Sequence, residues 1–397
     1  MVPLYDVSAL PNYAKAWRKG SGFICVKQQF IEKFISLKIK FVIHDKKTYF
    51  CGVESTNLTK IVSMKKLVLI IVAALAMSAC GNKYHFFNGN TQGTTYHIIM
   101  SGPTSDMQQR IDEVLAHADS TLSMFNPNSI VSRFNRGEVV MTNRDVSSCL
   151  STARTAFMFS KGAYDITVAP LVDLWGFGPS GKRDVEPTQA QIDSVLQFVD
   201  QNKIRVMYSR IFKDDPRIQI DLSSVAKGHT VDLICKMLDE QEIKNYLVEI
   251  GGEIRCKGIN SRGTMWRVGI DNPDYGHKTG AKQTIATLQL PTGTSIATSG
   301  NYRNYYTNDK GQRVVHTINT KTGRPQESRI LSATVIAPTC GRADAFATML
   351  MAIGDPDRLG WYELRMGQYC HFMVVYTDEE GNTQIFKTKK MDDFIIE

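Results

Sequence analysis

Apolar positions recur with two different periods along residues 90–397, and the two periods are interleaved. Ile111, Val114, Leu115, Ala118 and Leu122 stand at helical spacing and predict an amphipathic helix ending near Leu122. Residues 147–160 and 188–200 predict two more, the second with Ile192, Val195, Leu196 and Val199 on one face. Short strands are predicted at 94–100, 204–208 and 218–222. Strands then dominate, at 246–250, 266–270, 285–290, 314–318, 332–336 and 371–376, with helices at 225–238 and 342–353 between them. This mixture has no regular βαβ alternation, so the expected class is α+β: a single large mixed domain with antiparallel-rich sheets and flanking helices. No repeat or linker divides it, and residues 80–90 before it are expected to be a tether.

One run breaks both periods. Gly162-Ala-Tyr-Asp-Ile-Thr-Val-Ala-Pro-Leu-Val-Asp-Leu-Trp-Gly-Phe-Gly178 combines a carboxylate, a hydroxyl, a proline and a tryptophan with glycines at both ends. Glycine lets main chain approach a ligand closely. An apolar wall with a few placed polar groups is how a planar organic ligand is gripped. Taken alone, a buried glycine-rich connector has the same composition.

Charge changes the picture at the N-terminus. The net charge is +8, and residues 1–79 alone carry twelve Lys/Arg against four Asp/Glu. The remainder is therefore neutral and gives no electrostatic reason to expect nucleic acid. Met64-Lys65-Lys66, an apolar run over 67–76 and Met77-Ser-Ala-Cys80 read as a secretory signal, the run being shorter than the roughly 20 residues of a membrane span. A cysteine directly after such a site resembles the bacterial lipoprotein signal, in which Cys80 is acylated. Residues 64–79 are thus expected to be a lipoprotein signal. Residues 1–63 precede a segment that belongs at an N-terminus and are expected to be an upstream extension or a mis-assigned start. Cys149, Cys235, Cys256, Cys340 and Cys370 show no metal-ligand spacing and read as small buried hydrophobes.

Three segments carry candidate chemistry. Asp221-Leu-Ser-Ser-Val-Ala-Lys-Gly228 lies where a strand gives way to a helix, with Ser223 or Ser224 as the expected N-cap. The free N–H groups of that turn form an anion site, to which Lys227 adds a point charge; a capped structural helix would read the same. Asp344 and Thr348 are four residues apart on one helix face, two hard oxygen donors that suit Mg²⁺. A dipole-favouring aspartate at a helix start is the alternative. His316, just before a Gly/Pro-rich turn, is the histidine whose setting suggests a general base.

Nine blocks occur together and in order: Gln92-Gly-Thr-Thr-Tyr96, Ser129-Ile-Val-Ser-Arg-Phe-Asn135, the 162–178 run, the 221–228 run, Val248-Glu-Ile-Gly-Gly-Glu253, Trp266-Arg-Val-Gly-Ile270, Ala297-Thr-Ser-Gly-Asn-Tyr302, the 316–325 run and Ala343-Asp-Ala-Phe-Ala-Thr348. The set resembles the ApbE family, the FAD:protein FMN transferases, over essentially the whole domain, residues 91–397. That resemblance implies Mg²⁺-dependent transfer of FMN from FAD to a Thr or Ser hydroxyl of a target protein, with release of AMP. It implies metal ligation by Asp344, Thr348 and the main-chain carbonyl at Ser224, and His316 as base for the acceptor hydroxyl. FAD contacts are implied at Phe125, Ala163, Tyr164, Asp165, Asp221, Lys227 and Ile318, and at Gln92, where the family usually has methionine. Acceptors implied are membrane subunits of Na⁺-translocating NADH:quinone reductase or Rnf-type complexes, with the lipid on Cys80 holding the protein at the periplasmic face of the inner membrane. An FAD pyrophosphatase and a non-catalytic periplasmic flavin carrier are the competing expectations.

Overall fold

The computed structural model describes residues 83–181, 185–273, 283–301, 305–307, 311, 313–326 and 328–397; the segments expected to be signal and upstream extension, and Cys80, lie outside them. The strands are β1 (Tyr84–Thr91), β2 (Thr94–Ser101), β3 (Ile204–Met207), β4 (Arg210–Lys213), β5 (Tyr246–Ile250), β6 (Glu253–Lys257) and β7 (Trp266–Asp271). They continue with β8 (Thr284–Leu290), β9 (Ser295–Gly300), β10 (Tyr305–Thr307), β11 (Arg313–Val315), β12 (Ile330–Ala337), β13 (His371–Thr377) and β14 (Thr383–Lys387). The helices are α1 (Met107–Leu122), α2 (Ile130–Asn135), α3 (Arg144–Ser160), α4 (Ala169–Leu174), α5 (Gln189–Leu196), α6 (Ser223–Glu240), α7 (Cys340–Ile353) and α8 (Leu359–Met366).

Eight strands form one sheet in the order β1-β2-β5-β6-β9-β12-β13-β14, and each neighbouring pair is antiparallel. The α+β expectation holds. Helices α6 and α7 pack against each other and against the middle of this sheet, α6 on β5 and β6, α7 on β9 and β12. Helices α1 and α3 pack against them in turn. Sequence chemistry accounts for this layering: α7 is apolar around almost its whole circumference, and Ala343, Ala345, Phe346, Ala347, Met349 and Leu350 are all buried. Among the described residues no helix is long and apolar enough to cross a membrane.

Two expectations are corrected. The segment read as tether is largely strand, because Tyr84–Thr91 pairs residue for residue with β2. The strand predicted at 218–222 does not form. Ile220 N–H and C=O are taken instead by the Asn135 carboxamide, at 2.8 and 2.9 Å. A side chain has replaced the neighbouring strand. Strands β4, β6, β9, β10 and β14 and helices α2, α4 and α8 are too short or too mixed in polarity to show a period, and the sequence does not predict them.

Candidate active site at the crossing of two helices

The 221–228 segment opens α6 as expected, but neither serine caps it. Leu222 occupies the N-cap position, and Asp221 Oδ1 accepts the Ser223 N–H at 2.8 Å. The Asp221 N–H donates to the Ile166 carbonyl at 2.8 Å, which fastens this turn to the 162–178 run. A second fastening joins the Tyr164 hydroxyl and Ser224 Oγ at 2.7 Å. Burial pushes the pKa of Tyr164 up, so it stays a neutral phenol.

One turn further along, α6 crosses the start of α7 so closely that only glycine fits at 228. A Cβ there would lie 2.3 Å from the Cys340 carbonyl oxygen and 2.8 Å from Asp344 Cβ. The crossing brings Gly228 N–H to Asp344 Oδ2 at 3.0 Å. The start of α7 is itself held from α6: Asp232 accepts Cys340 N–H and Gly341 N–H, each at 3.0 Å, and pairs with Arg255 at 2.6 Å. On the next turn of α7, Thr348 Oγ1 lies 3.2 Å from Ser299 Oγ.

Lys227 reaches into the same place. Its ammonium is 3.2 Å from Glu253 Oε1 and 3.7 Å from Asp344 Oδ1. Burial disfavours the ammonium, but the two carboxylates outweigh it and hold the lysine pKa above its ordinary value. Burial pushes Glu253 up to about 8 against the pull of Lys227, and raises Asp344 against Lys227 and the Gly228 amide. Glu253 Oε2 is buried without a hydrogen-bond partner. Two carboxylates thus share one lysine in a low-dielectric site. Glu253 gets there through the tight β5–β6 turn, in which Gly251 and Gly252 adopt φ values of 63° and 110°.

Of the remaining predicted residues, Gln92 reaches α6 directly, and the others are placed by their own neighbours. Gln92, in the β1–β2 turn with φ 48°, donates from Nε2 to Thr230 Oγ1 on α6 at 2.7 Å. Phe125 is exposed beside α2, its N–H on Ser123 Oγ at 3.1 Å. Ala163 lies next to Tyr164 in a turn tied to the 316–325 run, where Thr320 Oγ1 donates to the Gly162 carbonyl at 2.7 Å. Asp165 is buried, and its oxygens accept from Thr167 N–H, Thr167 Oγ1 and Gln201 N–H at 2.8, 2.6 and 2.9 Å. Burial raises its pKa and those donors oppose the rise. In this structure that carboxylate shapes the loop. Ile318 is buried and bridges to Pro325. His316 is half-buried, edge-on to Phe177 with ring centroids 6.3 Å apart. Trp175 is buried and donates from Nε1 to the Gly323 carbonyl at 2.8 Å, anchoring the turn after His316.

Glu253, Asp232 and Asn135 were not singled out from the sequence. Glu253 and Asn135 lie inside quoted blocks, but their partners are far along the chain. Asn135 holds Ile220 immediately before Asp221, so Asn135→Ala is expected to cost about 2 kcal/mol of stability and to weaken flavin-nucleotide binding. Thermal unfolding and a fluorescence titration with FAD check this; a variant unchanged in both would remove Asn135 from the support of the site.

Among the described residues no group of three His, Cys, Asp or Glu side chains forms a metal cage. Hard oxygen donors of three kinds stand around the starts of the two helices: the buried Asp344 carboxylate against the first turns of α6, the Thr348 hydroxyl one turn further along α7, and the carbonyl of Ser224 in the first turn of α6. Those hard donors, together with the unpartnered Glu253 oxygen, fit a Mg²⁺-type cation, which keeps waters and borrows phosphate oxygens.

The fold is mixed, and an acidic, lysine-bearing cluster stands at the N-termini of two crossing helices. The family model described as "ApbE family" matches residues 51–372. Similar proteins include a FAD:protein FMN transferase from Vibrio cholerae, 34% identical over 80% of this chain and 95% of its own. A second, from Haemophilus influenzae, is 35% identical over 79% and 94%. The flavin transferase ApbE structure from Vibrio cholerae superposes with a TM-score of 0.71 at 30% identity, covering 79% of this chain and 99% of that one. The ApbE protein of Thermotoga maritima gives 0.68 at 25% identity, covering 79% and 100%. The chain belongs to the ApbE family.

Proposed function

We propose that this chain transfers the FMN moiety of FAD to a Thr or Ser hydroxyl of a target protein. The observation that carries the proposal is the convergence of Lys227, Asp344 and the start of α6 at one helix crossing. Phosphoryl-type transfer needs positioning and charge neutralisation more than covalent chemistry. The acceptor hydroxyl oxygen forms a bond to the FMN-side phosphorus, the anhydride P–O bond breaks, and AMP leaves with the bridging oxygen. His316 takes the proton of the attacking hydroxyl. Lys227 and the N-terminal amides of α6 bind the pyrophosphate. Ala163, Tyr164, Asp165 and Phe125 contact the flavin nucleotide, and the stem of Gln92 covers apolar surface where the family usually has methionine. Asp344, Thr348 and the Ser224 carbonyl would hold Mg²⁺, which supplies neutralisation of charge developing on the phosphate oxygens.

The acceptors proposed, from the family resemblance, are membrane subunits of Na⁺-translocating NADH:quinone reductase or Rnf-type complexes. A lipid on Cys80 would keep the protein beside them on the periplasmic face. Incubation with FAD, Mg²⁺ and such a subunit should produce covalent flavin fluorescence in a denaturing gel. AMP release without labelled protein would replace transfer by pyrophosphatase activity, and tight FAD binding without turnover would leave a carrier. For His316→Ala, transfer is expected to slow by about a hundredfold or more with FAD affinity little changed. A large loss of FAD affinity would contradict a base role.

A further inference from the structure

Granted the flavin-transfer reading above, we propose that Glu253 is a positioning residue that parks Lys227 against Asp344, so that cation binding at Asp344 is coupled to nucleotide binding. The ammonium lies between the two carboxylates, 3.2 Å from one and 3.7 Å from the other. Both carboxylates are almost fully buried, at 2% and 1% exposure. A divalent cation approaching Asp344 therefore meets a like charge already seated there. Low local dielectric makes that repulsion strong. A pyrophosphate reverses the situation, because it offers the ammonium a more highly charged partner. Lysine is suited to such a move, carrying a compact charge on a flexible four-carbon stem.

Glu253 is built to stay while Lys227 moves. Its backbone follows the Gly251-Gly252 turn, and Glu249 Oε1 accepts the Gly252 N–H at 2.7 Å. Glu249 Oε2 is in turn 2.7 Å from His97 Nδ1 on β2. The turn is thus tied to two neighbouring strands. The unpartnered Glu253 Oε2 retains an acceptor inside the site. When the lysine turns towards phosphate, Asp344 is left to the cation, and Glu253 stays behind to receive the ammonium again when the nucleotide leaves. Nucleotide and cation then favour each other's binding, as thermodynamic linkage requires.

The test is a Mn²⁺ titration of the purified protein followed by electron paramagnetic resonance, with and without saturating FAD. FAD affinity is measured in parallel by flavin fluorescence. Wild-type protein is expected to bind Mn²⁺ about tenfold more tightly with FAD than without it. Lys227→Met is expected to tighten Mn²⁺ binding in the absence of FAD by about tenfold and to shrink the FAD effect. Lys227→Gln, which keeps a hydrogen-bonding group beside Glu253 without the charge, is expected to behave alike and serves if the methionine variant does not fold. Glu253→Gln, which no longer holds the lysine against Asp344, should tighten Mn²⁺ binding in the wild-type background and change it little in the Lys227→Gln background. If Lys227→Gln binds Mn²⁺ no more tightly than wild type while wild type binds FAD, the coupling through Lys227 is overturned and the transferase reading stands. An equal effect of Glu253→Gln in both backgrounds would overturn its action through Lys227. Wild-type protein that binds no FAD would overturn both the coupling and the transferase reading.

Discussion

Asp344→Asn is expected to lower the rate of FMN transfer by about a thousandfold while the protein remains folded. The reason lies in how the two carboxylate oxygens are used. Oδ2 accepts the Gly228 N–H, and an asparagine carbonyl can still accept that bond. Oδ1 faces Lys227 at 3.7 Å, and the proposed cation would share that edge. Replacing the charge by an amide removes the hard anionic ligand and leaves Lys227 with Glu253 as its carboxylate partner. Asp344→Ala combines this loss with an orphaned amide at the helix crossing, a further cost of about 1–3 kcal/mol. The two variants are therefore expected to share a kinetic defect and to differ in thermal stability. Steady-state transfer rates and melting curves on both check this. An asparagine variant within tenfold of wild type would remove Asp344 from the metal site.

Gly228→Ala is expected to be the most destabilising single methyl addition in the described part of the chain's helix pair, by about 3 kcal/mol or more. The added Cβ would sit 2.3 Å from the Cys340 carbonyl oxygen and 2.6 Å from its carbon, both backbone atoms that no rotamer change can move. Relief requires α6 and α7 to separate. Separation draws Asp344 away from the start of α6 and dismantles the site together with the packing. Gly360 provides the control. It lies in α8, where an added Cβ would meet nothing within 4 Å, so Gly360→Ala should be neutral or stabilising by up to about 1 kcal/mol. Denaturant unfolding of the two variants, with FAD titration of each, measures the contrast. A Gly228→Ala protein as stable as wild type would show that the crossing can relax.

Much of the architecture is legible in periodicity. The apolar spacing of 111–122 and the polarity of 246–250 specify a helix and a strand through local geometry, and both form where expected. Residues 218–222 show where that logic stops. Their composition suits a strand, but the Asn135 side chain takes the hydrogen bonds of Ile220 from 85 residues away. The first strand was hidden for the related reason that an exposed edge strand with asparagine and glycine resembles a linker until its partner is known. Tyr164 and Asp165 make the same point inside the 162–178 run. The sequence marks both as polar groups in an apolar loop; the structure links one to Ser224 and commits the other to the amides of Thr167 and Gln201.

Residue types and their local order were enough to place this chain among α+β proteins, to expose the oxygen pair Asp344 and Thr348 on one helix face, and to reveal the ordered blocks shared with the ApbE family. Those properties depend on neighbours within a few residues, which a linear pattern records. The grouping of Lys227 with Glu253 and Asp344 depends on a glycine-permitted crossing of two helices and on a two-glycine turn, with the Gly228–Asp344 contact spanning 116 residues. Electrostatic partnership falls off with distance in space and is blind to separation along the chain. Only the folded arrangement therefore decides which of 39 acidic side chains shares a lysine, and which merely caps a turn.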